Sequence, residues 1–129
     1  MTLRAGAGEV EVSTTVHNTI RDHRLRVLMP SGIKASTCLA DSAFDVVERP
    51  VALEADNAIR REPDLEARPQ YTWTAIDDGE AGLAVVSRGL PECGVSDRPG
   101  RPIALTLLRG FRRTVRAPES TEAQTLGTH

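Results

Sequence analysis

The sequence has few aromatic residues: among its 129 residues only Phe44, Tyr71, Trp73 and Phe111 carry phenyl, phenol or indole rings. A core built from it must rest on Val, Leu, Ile and Ala. Lysine is scarce too, with Lys34 the sole example, so arginine carries the positive charge. Arginine suits carboxylate or phosphate recognition, although a biased genome composition gives the same count. No apolar run approaches the ~20 residues that a membrane-spanning helix needs. The opening MTLRAGAGEV also lacks the apolar stretch of a secretory signal. The formal net charge of -2 gives no global attraction to nucleic acid or to an anionic membrane. The two cysteines, Cys38 and Cys93, have no metal-ligand spacing. One disulfide could join them, but isolated thiols read more naturally as small core residues in a reducing compartment. A cytoplasmic location is the expectation, with neither nucleic acid nor membrane as partner.

What is present is ordinary for a globular chain: 40% hydrophobic and 26% charged residues, at a length that fits one domain. Residues 1–8 are rich in Gly and Ala and are expected to be flexible. From Glu9 the pattern alternates, with Val10, Val12, Thr14 and Val16 on one face, which predicts a half-buried strand. A second strand is expected over Arg24–Met29, with Leu25, Val27 and Met29 inward and Arg24 and Arg26 outward. Pro30-Ser31-Gly32 ends it. Short strands are expected over 33–39 and, around Phe44 and Val46, over 43–47. The polar stretch 54–69 reads as a surface loop with one helical turn. Tyr71, Trp73 and Ala75 restart the alternation, and Asp77-Asp78-Gly79 is a turn signal. GLAVVSRGLPECGV (82–95) reads as a hairpin of two strands joined at Arg88-Gly89. Residues 96–101 form a polar loop before the most apolar strand, 102–109. No amphipathic helix stands out, so the fold class is all-β, an antiparallel β-sandwich spanning 9–116 with a tail over 117–129.

The reactive groups form no recognisable catalytic constellation. His17 and His23 flank a turn beside Asp22, but their spacing matches no zinc pattern, and His129 stands alone. Asp77 and Asp78 belong to a solvated turn. Asp41 and Asp45 flank Phe44, and Asp41 reads most simply as a strand-end residue bonding backbone amides. Ser87 and Ser96 have no nucleophile elbow. Cys93 has neither a cationic neighbour nor a helix N-terminus, so its thiol should stay protonated. Arg109, Arg112, Arg113 and Arg116 surround Phe111 and read as a solvated strand end or a face for an acidic neighbour rather than a nucleic-acid site. No catalytic, cofactor-binding or metal residue is assigned.

Several ordered segments then acquire a common meaning. GLAVVSRGLPECGV, PIALTLLRGFRRTV (102–115), HNTIRDHRLRVLMP (17–30) and ADSAFDVVERP (40–50) resemble the C-terminal β region of glycoside hydrolase family 38, the retaining α-mannosidases. The tail EAQTLGTH (122–129) is similar to the start of a further strand in that family, so the resemblance runs from about residue 9 to residue 129. It implies a truncated sandwich of the galactose-mutarotase-like, family 38 C-terminal type. It also implies that the chemistry sits in an N-terminal α/β domain. There an aspartate nucleophile and a second carboxylate act beside a zinc ion held by two histidines and two aspartates. Those motifs do not occur here, so no cofactor is expected in this chain. At Cys93 the family often carries an aromatic residue, which leaves the hairpin reading intact and puts a stacking role in question.

The resemblance makes the catalytic domain the expected partner and α-mannoside a ligand of the parent protein. A cut sandwich would expose strand edges, so self-association through an edge strand is expected. The alternative is a stand-alone carbohydrate-binding module using Tyr71 and Trp73. Their spacing puts both on one face, and that face is expected to be core.

Overall fold

A computed structural model of the chain describes residues 1–61 and 63–110, together with the backbone of Gly127–Thr128. In chain order the strands are β1 (Thr2–Leu3), β2 (Val10–Glu11), β3 (His17–Asn18), β4 (Arg24–Met29), β5 (Thr37–Ser42) and β6 (Asp45–Pro50). There follow β7 (Arg68–Pro69), β8 (Trp73–Asp77), β9 (Gly82–Val86), β10 (Glu92–Val95), β11 (Ile103–Arg109) and β12 (Gly127–Thr128). The helical element among the described residues is a single 3₁₀ turn, Asn57–Ile59, inside the polar stretch where one turn was expected.

The chain divides into two units. The larger, Arg24–Leu108, holds two four-stranded sheets, ordered β4-β11-β10-β7 and β6-β5-β8-β9. The pairs β10/β11, β10/β7, β5/β6, β5/β8 and β8/β9 are antiparallel. One core joins the sheets: Cys93, Val95, Ile103 and Leu105 from the first meet Cys38, Ile76 and Val85 from the second. Ile33 and Val51 are buried in the same core. This is the all-β sandwich that the alternating sequence predicts. Strand β11 is the most deeply set, with Ile103 fully buried and Ala104, Thr106 and Leu108 buried on its opposite face. In the other unit, Met1–His23 with the described residues after Leu108, β1 pairs with β2 and β3 with β12. The Gly110 amide there donates to the His23 carbonyl at 2.9 Å.

Strand β4 matches its predicted span, because strict alternation ends at a proline and a glycine. Other expectations change. The strand expected from residue 9 shrinks to Val10–Glu11, and Val10 and Val12 are both exposed. Alternation permits a buried face but supplies no surface to cover it. The strands expected over 33–39 and 43–47 are displaced to β5 and β6, with Ala43-Phe44 as their two-residue turn. Phe44 sits at the turn's tip with φ of 67° and a fully exposed ring. In β8 the core-facing residues are Thr74 and Ile76, each almost wholly buried, whereas Tyr71 is exposed and Trp73 half-buried. The aromatic pair is therefore not core.

The largest correction concerns residues 82–95. Strands β9 and β10 do not pair with each other: β9 joins β8 in one sheet, and β10 joins β11 in the other. Arg88-Gly89, with Gly89 at φ +74°, is a corner between the two layers rather than a hairpin turn. A second glycine is needed for closeness. A Cβ on Gly94 would lie 1.9 Å from the Glu66 carbonyl oxygen, so only a bare backbone lets the 54–69 loop settle on β10.

Candidate functional site

The corner is held by Gln70, just after β7. Its carboxamide nitrogen donates to Ser87 Oγ and to the Leu90 carbonyl, both at 3.1 Å. Its carboxamide oxygen accepts from Thr74 Oγ1 at 2.6 Å, and its backbone amide donates to the Pro91 carbonyl at 2.9 Å. Gln70 and Thr74 are buried and fully occupied by this network, which ties β8 to the crossover. Sequence reading assigned Gln70 no role. Its only local signal is a polar residue between the loop expected over 54–69 and the alternation that starts at Tyr71. Ser87 thus serves structure, and Ser96 Oγ likewise donates to Glu66 Oε1 at 3.1 Å.

The carboxylates considered for acid–base work are all engaged in local structure. Asp41 lies at the end of β5, and its Oδ2 accepts from Thr72 Oγ1 rather than from the backbone amides expected. Its own carbonyl accepts from the Tyr71 amide at 3.0 Å. Asp45 Oδ1 accepts from the Val46 amide at 2.7 Å. Asp77 Oδ1 accepts from the Gly79 amide at 2.8 Å, and Asp78 Oδ1 from the Glu80 and Ala81 amides at 3.1 and 3.0 Å. The amides of Ala81 and then Glu80 hold the Asp78 carboxyl below its ordinary range. This is turn chemistry, as the Asp-Asp-Gly sequence predicts.

His17 lies in β3 and is exposed; His23 is half-buried, with its Nδ1 shielded from solvent and unbonded. With Asp22 they form no group of three potential ligands, and none exists elsewhere among the described residues. A zinc ion of the kind the family resemblance implies does not fit the residues described. His129, Phe111, Arg112, Arg113 and Arg116 lie outside the described residues, and Arg109 ends β11. Arg24 of β4 and Glu92 of β10, on one sheet, form an ion pair at 3.2 Å, and Glu92 Oε1 also accepts from the buried Thr106 hydroxyl at 2.6 Å.

Both cysteines are free and buried in the core, and burial is the main cause that raises each thiol above its ordinary pKa. Between them lies a cavity of about 10 Å³ lined in part by Arg49, Glu66, Arg68 and Thr74. That is room for about one water molecule. A shallow depression of about 370 Å³ lies between residues 32–34 and 97–101, lined in part by Lys34, Asp97, Arg98 and Arg101, of which Arg101 pairs with Asp97. Neither concavity brings two carboxylates together across a cleft.

Comparison with known proteins decides what this arrangement belongs to. Residues 1–114 match the family model described as "Glycosyl hydrolases family 38 C-terminal domain". The chain belongs to glycosyl hydrolase family 38. Its relatives include a putative mannosylglycerate hydrolase of Halalkalibacterium halodurans, 36% identical over 110 residues, which cover 84% of this chain and 11% of that protein. Among solved structures, an α-mannosidase from Enterococcus faecalis V583 superposes with a TM-score of 0.76 at 32% identity. That match covers 89% of this chain and 13% of the other. A protein of glycosyl hydrolase family 38 from Enterococcus faecalis gives 0.70 at 32% identity, covering 89% and 12%. The chain thus spans about an eighth of the length of these relatives.

Proposed function

We propose that this chain is the non-catalytic C-terminal β domain of an α-mannosidase-like glycoside hydrolase and supports a catalytic domain encoded in the remaining length. The match of residues 1–114 to a C-terminal domain model, in a chain that spans about an eighth of its relatives' length, carries this reading. The hydrogen-bonded commitments of Asp41, Asp45, Asp77 and Asp78 support it, because each is already spent on local structure. In this reading the zinc, the nucleophile and the acid–base carboxylate all belong to the catalytic domain, and α-mannoside is bound by the whole protein. Phe44 supports a docking role. An apolar ring held outward on a hairpin tip in the left-handed region is unfavourable in water, and becomes favourable once a neighbouring surface receives it. Two buried free thiols support a reducing, cytoplasmic location, and no helix among the described residues is long and apolar enough to cross a membrane.

Assay of the purified chain with an aryl α-mannoside and added zinc is expected to give no turnover; measurable hydrolysis overturns the reading. A second reading, a stand-alone carbohydrate-binding module, is favoured by one observation: the Tyr71 ring is exposed, where a core position was expected. Calorimetric titration with mannose oligosaccharides separates the two, since a pure scaffold releases no binding heat.

A further inference from the structure

Each four-stranded sheet ends in two edge strands, and an open edge presents backbone donors and acceptors to any chain that can pair with them. Three of the four edges here carry the usual protection. Strand β4 bears Arg24 and Arg26, β6 bears Asp45, Glu48, Arg49 and Pro50, and β7 is two residues long and includes Pro69. Strand β9 differs. Its sequence GLAVV has no charge and no proline, Gly82, Ala84 and Val86 are exposed, and Val86 is 73% accessible.

The ladder to β8 fixes which backbone groups face outward. Ser87 N donates to the Thr72 carbonyl at 2.7 Å and Asp78 N to the Ala81 carbonyl at 3.1 Å. Bonded and non-bonded pairs alternate along an antiparallel ladder. With Trp73 opposite Val86, Ala75 opposite Ala84 and Asp77 opposite Gly82, these three β9 residues turn their N–H and C=O groups away from β8.

We propose that β9 pairs antiparallel with β9 of a second copy of this chain, about a two-fold axis at Ala84. The outward-facing backbone groups admit a dyad at this central residue, where Ala84 exchanges bonds with Ala84 of the other copy. The register then sets Gly82 against Val86, so the bulkier side chain always meets the residue without one. One step further out it sets Glu80 of each copy opposite Arg88 of the other. Both are exposed, and neither belongs to an ion pair among the described residues. Opposite charges at facing positions favour such a ladder, and like charges oppose it. This goes beyond the scaffold reading and does not depend on it.

Sedimentation equilibrium of the purified chain, over dilutions into the high-micromolar range, is expected to show a monomer–dimer equilibrium. Ala84→Lys places two like charges on the dyad and should leave a monomer with unchanged circular dichroism. Glu80→Arg and Arg88→Glu should each weaken the dimer by about ten-fold, and the double reversal should restore it. A wild-type monomer at every concentration overturns the proposal. So does a dimer indifferent to Ala84→Lys, or a double variant no tighter than the singles.

Discussion

The carboxamide nitrogen of Gln70 lies 3.1 Å from Ser87 Oγ, bridging the end of one sheet to the corner where the chain crosses to the other. The same nitrogen reaches the Leu90 carbonyl, and the carboxamide oxygen receives the Thr74 hydroxyl. Truncation by Gln70→Ala leaves that buried hydroxyl and the Leu90 carbonyl without their partner, each costing about 1–3 kcal/mol. A loss of about 3 kcal/mol in urea unfolding is expected, against about 1 kcal/mol for Ser87→Ala, which removes one bond at a partly exposed site. Equal losses for the two would show that the network does not hold the corner.

The approach of β10 to the 54–69 loop yields a backbone test. Gly94→Ala would drive a methyl group to within 1.9 Å of the Glu66 carbonyl oxygen, a backbone atom that cannot rotate aside. The loop must move, disturbing the Ser96–Glu66 bond and the β7–β10 pairing. Destabilisation by about 2–3 kcal/mol is expected. Gly8→Ala serves as the control, because open space surrounds that position and it has no positive φ.

The buried thiols make stability fall at alkaline pH. Desolvation raises the folded pKa of Cys38 and Cys93 above the unfolded value. Below the unfolded pKa both states hold the proton and nothing is lost. As pH rises through it, the unfolded chain ionises first and unfolding becomes easier until the folded pKa is reached. Urea midpoints should therefore drop above the ordinary thiol pKa, and the drop should shrink in a Cys38→Ala/Cys93→Ala double variant. The native chain should also resist a thiol reagent that labels the unfolded chain at once.

What the sequence disclosed, and what it hid, follow from the range of the interactions involved. Strand β4 was legible because alternation and the Pro30-Ser31-Gly32 stop are both local. The Asp77-Asp78-Gly79 turn was legible because aspartate side chains bond amides two or three residues on. Residues 82–95 misled because a turn signal does not say which strands will pair, and the partners of β9 and β10 lie in different sheets. The phase of β8 misled because Thr74 is held inside by Gln70, a partner invisible to any hydrophobic pattern. At the level of function, no acid–base or metal grouping stood out in the sequence. The described residues hold no candidate metal cluster. The unguarded edge at β9 needed the strand order before it could be seen.

Phe44 sets local stability against docking. Its φ of 67° costs an L-residue about 1–2 kcal/mol, and its ring, fully exposed, returns nothing within the chain. Glycine adopts this conformation without the steric cost and gives back about 0.5–1 kcal/mol as added freedom of the unfolded chain. Phe44→Gly is therefore expected to stabilise the isolated chain by about 0.5–1 kcal/mol in urea unfolding. In a protein that carries the catalytic domain, the same change should weaken the attachment of this domain, measured as faster proteolytic release. Unchanged or reduced stability of the isolated chain would show that the ring is not held under strain. Unchanged release would show that the docking surface lies elsewhere.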